Sequence, residues 1–527
     1  MEKLKFWPSI GAGRTVIPSP PPLYEMNFQA YTLSTQPDWA CIQIKAPESE
    51  ARQPVHLCCL IDTSGSMDMD MKLESVKRSL HFLLDFLGPE DKVSIITFSE
   101  TAHTILSQIA VTATEKENIR ARIAIMRPET NTNLSASIVE CRASLTTDTA
   151  TVKQGVILLT DGHANLGLTR PCDIMELVQN TIARFNGTSI SCVGYGSDHN
   201  ADLLQSISTE GGGSYYMVNN LEDVAAVFGN ILGGLISCTA QQVRIILPAG
   251  TQIKSRYATG VNAASGGPVE VTVGDMTAGG EAAFLARIPT GGILTLKGYN
   301  LLIHDNFTVN TTVVATSNVT LQANGMAHYL RFEVLTLLDQ AKTLVGSNSA
   351  ATTHVRKIDE LVATITAHQR ANANPLWEIL LGELAACKES LQTTHLAPAA
   401  SAGMMTQRAG YLGQMRGLPA TSPAPWAGDN SPVAGVPVSR TFSNYAQVRI
   451  SSQLAAAASA RPSDLTQDPM PPSNTGTPYG SPVIGGLVGA GSIAMGAPPP
   501  ISVWPSAMVP SGPIARQGAA YHIDNIE

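Results

Sequence analysis

One segment of this 527-residue chain restricts its fold more than any other: an apolar run that ends in a carboxylate and two hydroxyls. The run covers residues 55–61, and Asp62, Ser64 and Ser66 follow it at alternate positions. An apolar run of this length predicts a buried strand. Because open α/β sheets bind ligands at the carboxyl ends of their strands, we expect these three side chains to face a ligand.

Two distant segments offer side chains of the same kind. Thr132 lies in the segment 129–134, and Asp161 ends a second buried run that begins at Val156. Carboxylates and hydroxyls are hard oxygen donors, which suit Mg²⁺ while it keeps some of its waters. Two carboxylates about 5 Å apart repel by roughly 3 kcal/mol at an effective dielectric near 20, and a divalent ion relieves that repulsion. The pattern therefore predicts a Mg²⁺ site, which Mn²⁺ or Ca²⁺ would also fit.

These residues resemble the metal-ion-dependent adhesion site of von Willebrand factor type A (VWA) domains. The five positions of that site match, in order, Asp62, Ser64, Ser66, Thr132 and Asp161. The family usually has glycine just before the threonine, where this chain has Asn131. The resemblance implies that the three hydroxyls bind the metal directly and the two carboxylates partly through water. It also implies that an Asp or Glu of a protein partner fills a coordination position left open to solvent.

Other interpretations of these segments stay open. The Asp-x-Ser-x-Ser group could form a helix-capping turn, because Asp and Ser are favoured N-cap residues. Asp68 and Asp70 could hold a second cation, although an exposed acidic loop is the simpler interpretation. Glu129 is expected at the surface rather than as a ligand, and His163 on the rim of the site rather than as a catalytic base.

Alternating strand and helix patterns from residue 55 to 233 predict a mainly parallel, doubly wound sheet with helices on both faces. The expected strands are 55–62, 93–98, 102–106, 155–160, 189–194 and 214–218, and the expected helices are 72–87, 115–126, 134–144, 173–185, 201–207 and 221–232. Short β runs punctuated by Gly and Asn then indicate a β-sandwich-like unit over 241–321. Residues 325–396 have helical periodicity again.

The predicted organisation has six parts. They are an extended N-terminal segment (1–21), strands that join the later β-unit (22–50), the VWA domain (51–236), a β-sandwich-like domain (237–322), a helical hairpin or bundle (323–396) and a Pro/Gly/Ala-rich disordered tail (397–527). We expect the strands of residues 24–48 to pair with residues 240–320, so that the VWA domain is an insertion.

The tail holds more than half of the 33 prolines and is rich in Ala, Gly and Ser. Such a segment cannot bury enough apolar area to offset its chain entropy, so we expect it to be disordered or ordered by a partner. The segment 440–450 could be a docking peptide, and plain disorder explains it equally well. The apolar run 483–497 is bracketed by prolines and is shorter than the ~20 residues of a membrane helix, so no membrane span is expected.

Segments 52–57 and 228–237 resemble one intracellular branch of VWA proteins, which includes plant RING-type and fungal U-box-type ubiquitin ligases. In that branch a β-rich region and then a helical region follow the VWA domain. No Cys/His cluster with RING spacing is present in this sequence, so the sequence contains no recognisable motif for ligase activity.

Composition and missing motifs narrow the function. A net charge of −8 without a long Lys/Arg run argues against nucleic acid as a partner. The N-terminus has no apolar signal segment, and the eight cysteines form no Cys-x-x-Cys pair, which favours a cytoplasmic protein with reduced thiols. Motifs for a phosphate-binding loop, a nucleophile elbow or a zinc protease are missing, so no enzyme is expected.

The leading prediction is an intracellular protein-interaction module that binds an acidic residue of its partner through Mg²⁺. Two alternatives stay open: a structural subunit that assembles through its C-terminal tail, and a non-catalytic adaptor in ubiquitin ligation.

Overall fold

A computed structural model describes residues 25–196, 199–218, 221–254, 267–344, 348–374, 376–392, 406 and 445–459. The predicted extended segment 1–21, the apolar run 483–497 and most of the predicted tail lie outside these residues. The described chain begins with two antiparallel strands, β1 (Asn27–Thr32) and β2 (Ala40–Lys45). Their other sheet partners lie more than 200 residues further along the sequence.

A six-stranded sheet forms the centre of the α/β domain that follows. Its strands are β3 (Val55–Asp62), β4 (Lys92–Phe98), β5 (Ala102–Ala110), β6 (Lys153–Thr160), β7 (Thr188–Tyr195) and β8 (Gly212–Val218). The strand order is β5-β4-β3-β6-β7-β8, and β5 alone among them pairs antiparallel. The prediction of a mainly parallel, doubly wound sheet is therefore confirmed.

Six helices cover the two faces of this sheet. They are α1 (Lys72–Leu84), α2 (Ala113–Ala124), α3 (Leu134–Cys141), α4 (Pro171–Arg184), α5 (Ala201–Glu210) and α6 (Leu221–Ile236). Alternate residues of β3 point to opposite faces: Leu57 and Cys59 pack with α1, α2 and α6, while Cys58 and Leu60 pack with α3, α4 and α5. The connection after β3 therefore leads to α1 on one face of the sheet, and the connection after β6 leads to α4 on the other face. Neighbouring strands with this connectivity open a crevice at their carboxyl ends, where α/β folds bind ligands.

The second sheet joins strands from before and after the α/β domain. Its later strands are β9 (Cys238–Leu247), β10 (Gln252–Ile253), β11 (Val269–Thr277), β12 (Glu281–Arg287), β13 (Ile293–Asn300) and β14 (Asp305–Val314), and the order is β10-β12-β2-β1-β14-β13-β9-β11. Strand β2 pairs antiparallel with β12, and β1 pairs parallel with β14. The expected pairing of the N-terminal strands is therefore present, and the α/β domain lies between β2 and β9 in the sequence.

A β-sandwich has two separate sheets, whereas the β-strands of this unit form one eight-stranded sheet. Because β1 pairs with β14, its two halves are continuous, and both contribute to one apolar cluster. Ile42 and Ile44 come from one half of that cluster, and Val243 and Ile245 come from the other. The unit is sandwich-like in how it buries its core, with one sheet that curves around it.

Three helices follow: α7 (Val319–Ala341), α8 (Asn348–Ala371) and α9 (Leu376–Gln392). They share an apolar cluster to which Leu330 of α7, Ile358 of α8 and Trp377 of α9 all contribute, as the helical periodicity predicts. None of the helices in the described part of the chain is both long and apolar enough to span a membrane.

One part of the predicted disordered tail is ordered. Residues Tyr445–Ser459 form a helix, α10, that packs against α6 and α1. Ile450 and Leu454 lie one turn apart and are buried in the core of the α/β domain. Plain disorder does not describe this segment, because the helix buries its apolar side chains against α6. For residues 445–450, the alternative interpretation as a docking peptide agrees better with the structure.

Candidate metal site

Four of the five predicted ligands lie in one hydrogen-bonded chain at the end of β3. The Asp62 carboxylate accepts a hydrogen bond from the Ser64 backbone nitrogen at 2.8 Å. The Ser64 and Ser66 hydroxyls are 3.2 Å apart, and the Ser66 hydroxyl donates to Asp161 Oδ1 at 2.7 Å. Because β3 and β6 are adjacent parallel strands, Asp62 and Asp161 meet at the same edge of the sheet.

Thr132, the fifth residue, lies beside this chain. A Cβ atom built on Gly162 would be 3.6 Å from the Thr132 hydroxyl, so Thr132 borders the segment that follows Asp161. The Asn165 side chain accepts from the Thr132 nitrogen at 2.9 Å, and the Asn165 nitrogen donates to the Thr132 carbonyl at 3.0 Å. Thr132 is therefore held by its backbone while its side chain faces the other site residues.

The loop before Thr132 tolerates the residue that departs from the family pattern. Asn131 does not adopt a positive φ, so the backbone there does not require glycine. Its side-chain nitrogen donates to Glu100 Oε1 at 2.7 Å. This contact fixes the loop from outside the site.

The geometry argues against the helix-capping interpretation. Ser64 occupies the N-cap position of a 3₁₀ segment, Gly65–Met71, but its side chain makes no capping hydrogen bond. Its hydroxyl instead faces Ser66. The hydroxyls of this motif are thus directed towards the acidic cluster rather than used to start a helix.

Burial dominates the electrostatics of Asp62, which is fully excluded from solvent. Desolvation is the largest of the causes that together raise the pKa of the Asp62 carboxyl to about 6, and the nearby Asp161 acts in the same direction. Hydrogen bonds from Thr160 and Ser64 act in the opposite direction. The site consequently favours a cation, which would stabilise the ionised carboxylates against burial and mutual repulsion.

One cationic side chain already faces the site. Lys72, the first residue of α1, places its Nζ 2.5 Å from Asp161 Oδ2, and both side chains are largely buried. A cation at the first turn of a helix opposes the helix dipole, so its position needs a local partner. The sequence analysis missed Lys72, although a lysine that starts a predicted helix at this end of the sheet is a usable signal. It also missed Thr160, which donates to Asp62, and Asn165.

The other residues considered from the sequence lie outside the hydrogen-bonded chain. Asp68, Asp70, Glu129 and His163 are exposed, and Glu129 accepts from the Ser99 hydroxyl. Among the described residues, no three His, Cys, Asp or Glu side chains come together as metal ligands. Any metal here would depend on the two carboxylates and three hydroxyls together.

These five residues fit a divalent cation by their donor chemistry. Both carboxylates are buried, the three hydroxyls are neutral oxygen donors, and each lies on or beside the same short chain of contacts. Hard oxygen ligands of mixed charge suit Mg²⁺, Mn²⁺ or Ca²⁺. The ligands would be Asp62, Ser64, Ser66, Thr132 and Asp161.

Comparison with known proteins identifies the domain that carries the site. The family model of the von Willebrand factor type A domain matches residues 56–230. Residues 56–230 form a VWA domain. The solved von Willebrand factor type A protein from Catenulispora acidiphila shares the fold over 74% of this chain and 96% of its own, with a TM-score of 0.56 and 14% identity.

Curated relatives match this chain over part of its length. The uncharacterized protein YfbK of Escherichia coli (strain K12) is 29% identical over 207 residues, which are 38% of this chain and 35% of YfbK. Inter-alpha-trypsin inhibitor heavy chain H4 from Bos taurus is 31% identical over 176 residues, 32% of this chain and 19% of that protein. The chain thus spans about a third or less of the length of these two relatives.

Proposed function

We propose that this protein is a non-enzymatic interaction module whose VWA domain binds Mg²⁺ and, through it, an Asp or Glu of a partner protein. The observation that carries the proposal is the chain of contacts from Asp62 through Ser64 and Ser66 to Asp161. A partner carboxylate would complete the coordination of the metal. Mn²⁺ or Ca²⁺ would replace Mg²⁺ as oxygen-preferring ions.

The local charge supports a partner that is acidic. Two ionised carboxylates facing the Lys72 ammonium and one divalent cation leave a net charge of one positive unit at the crevice. Neutral hydroxyl ligands do not reduce that charge. A carboxylate gains both a coordination bond and a favourable Coulomb interaction there, whereas a basic residue is repelled.

The experiment is an affinity capture with the full chain from a lysate of its source, in Mg²⁺ and in EDTA. Asp62→Ala removes a buried site carboxylate, and Asp68→Ala is the matched control, since Asp68 is acidic, exposed and outside the chain of contacts. We expect a partner that is lost in EDTA and with Asp62→Ala but is retained with Asp68→Ala. Partners retained both in EDTA and with Asp62→Ala would contradict metal-dependent adhesion.

A structural assembly role is the second candidate, and the packing of α10 on the VWA domain favours it. In that case partners would persist in EDTA and be lost when residues 397–527 are deleted. The adaptor role in ubiquitin ligation rests on the sequence resemblance, and copurifying ubiquitin-conjugating components would support it.

A cytoplasmic location is part of the same proposal. All eight cysteines are free thiols, and seven of them are buried. Desolvation raises the pKa of five buried thiols, those of Cys41, Cys58, Cys59, Cys141 and Cys192, which keeps these five protonated and unreactive. Fractionation of the source cell with an antibody to the chain would test this location.

A further inference from the structure

Large apolar side chains are exposed on both sides of the metal-site crevice. Among the described residues, ten large apolar side chains are exposed, and four of them lie in the two segments that follow β3 and β6. We call these four, Met69, Met71, Leu166 and Leu168, the rim. The other six are distributed over several elements, and single exposed apolar residues are ordinary on protein surfaces.

The rim residues are held next to the site by specific contacts. The 3₁₀ segment Gly65–Met71 carries Ser66, which bonds to Asp161, and leads into Lys72, which also bonds to Asp161. On the other side, the Leu166 nitrogen donates to the Thr132 carbonyl at 3.3 Å, and the Leu168 nitrogen donates to the Ser135 hydroxyl at 3.0 Å. Because β3 and β6 are neighbours, the two halves of the rim border one crevice.

The backbone that displays the two methionines is strained. Asp70 and Met71 both adopt left-handed conformations, with φ of 53° and 57°. Such geometry costs a non-glycine residue roughly 1–2 kcal/mol. Met67, four residues before Met71, is fully buried, so the segment could bury a methionine, yet Met69 and Met71 are 59% and 65% exposed. Methionine adapts its shape to different apolar partners, which makes it a common residue of binding surfaces.

We propose that the rim and the metal site together select an extended partner segment in which the acidic residue has large apolar neighbours. This inference rests on the proposed function and specifies its partner. The cation would bind the Asp or Glu, and the rim would contact an apolar side chain on each side of it. Charge complementarity at the floor and apolar contact at the edges would thus act on one peptide.

The test is a selection of random peptides displayed on phage, using the immobilised full chain in Mg²⁺ and elution with EDTA. The rim variant combines Met69→Ser with Leu166→Ser, one change on each side of the crevice. The matched control combines Ile293→Ser with Val319→Ser, which remove two exposed apolar side chains outside the VWA domain, 63% and 70% exposed. Both double variants change solvent-facing positions, so the domain should fold in each.

We expect wild-type selection to enrich an Asp or Glu flanked by large apolar residues. Selected peptides should bind the rim variant at least tenfold more weakly and the control variant equally well. Eluted peptides that share an acidic residue without apolar neighbours, or that bind the rim variant with full affinity, would overturn the rim proposal and leave the proposed function intact. A selection that yields no EDTA-eluted peptides would overturn both.

Discussion

The packing of α10 on α6 gives a prediction in which one substitution has opposite effects in two backgrounds. Gly229 and Gly233 lie four residues apart on one face of α6, directly under α10. A Cβ atom on Gly233 would lie 2.7 Å from the Gln447 backbone nitrogen, and one on Gly229 would lie 2.7 Å from the Ser451 Cα. The contact atoms belong to the backbone of α10, so a small side-chain rotation cannot relieve the clash.

Gly233→Ala should therefore weaken the docking of α10 in the full chain. Alanine in a helix interior is about 1 kcal/mol more favourable than glycine, whereas overpacking costs about 1–3 kcal/mol. The balance should destabilise the docked state by up to about 2 kcal/mol. This destabilisation cannot exceed the free energy of docking, because α10 leaves the domain once the clash costs more than docking contributes.

The second background is Leu454→Asp, which places a carboxylate at a position that is fully buried against the VWA core. An unpaired buried charge is costly enough to undock α10. Once α10 is undocked, nothing opposes the better helix propensity of alanine, and Gly233→Ala should stabilise α6 by about 1 kcal/mol. The sign of the effect thus reports whether α10 occupies α6.

Hydrogen exchange followed by mass spectrometry measures this directly, as the opening free energies of the α6 and α10 peptides. Gly382→Ala is the matched control, since it also lies inside a helix and a Cβ there would meet no atom within 4 Å. It should leave the exchange of α6 and α10 unchanged in both backgrounds. The reasoning would be refuted if Gly233→Ala increased protection of α6 and α10 in the full chain without Leu454→Asp.

The remaining predictions concern the charged and titratable groups of the VWA domain. Lys72→Met should leave the buried Asp161 carboxylate without its cationic partner, which should destabilise the metal-free protein by about 3–5 kcal/mol. The same substitution removes a positive charge from the site and should therefore raise the affinity for Mg²⁺ at least about tenfold. Calorimetric titration with Mg²⁺ measures the two affinities, and thermal unfolding with and without the ion measures the two stabilities. Equal Mg²⁺ affinities of wild type and Lys72→Met would contradict the prediction. Burial lowers the pKa of His56, whose ring bonds to Gln154 and Ser94, so the folded protein keeps this histidine neutral. In the unfolded chain, His56 binds a proton below about pH 6.5. The stabilisation of the fold by neutral His56 is therefore fully present above that pH. As the pH falls from there towards the pKa of His56 in the folded protein, the free energy of unfolding decreases by at most about 1.4 kcal/mol per pH unit. Thermal unfolding of wild type and His56→Gln from pH 7 to pH 5 should show a difference that narrows with falling pH, and a constant difference would count against the assignment.

The strands, and the positions of Asp62 and Asp161 at one edge of the sheet, could be predicted because their signals are local. The apolar run before Asp62 and the run before Asp161 are both buried strands, and adjacent parallel strands bring their ends together. Thr132 was a candidate because of the resemblance to the VWA adhesion site, whose five positions match this sequence in order. The boundaries of the predicted domains remain predictions, although the strands on either side of the VWA domain do pair.

Features that depend on tertiary contact were missed, as for Lys72, or left open, as for segment 440–450, where docking and disorder were equal explanations. Lys72 is a helix residue in the sequence, and its bond to Asp161 depends on how the 3₁₀ segment turns before α1. The helix α10 is rich in Ala and Ser, and two of its side chains that the structure describes, Ile450 and Leu454, are buried apolar residues. Two apolar residues in a helix are too few to predict from the sequence that the helix packs on another domain. The close packing depends on Gly229 and Gly233 of α6, which let the backbone of α10 approach.

Metal binding by the full chain tests the central claim most directly. Electron paramagnetic resonance with Mn²⁺ as the probe counts the bound ions in wild type, Asp62→Ala, Asp161→Ala and Asp68→Ala. The account predicts one tightly bound Mn²⁺ per chain that Mg²⁺ displaces, loss of that site in Asp62→Ala and Asp161→Ala, and no change in Asp68→Ala. Wild-type protein that binds no Mn²⁺ specifically, or an Asp62→Ala variant that binds it as wild type does, would contradict the account.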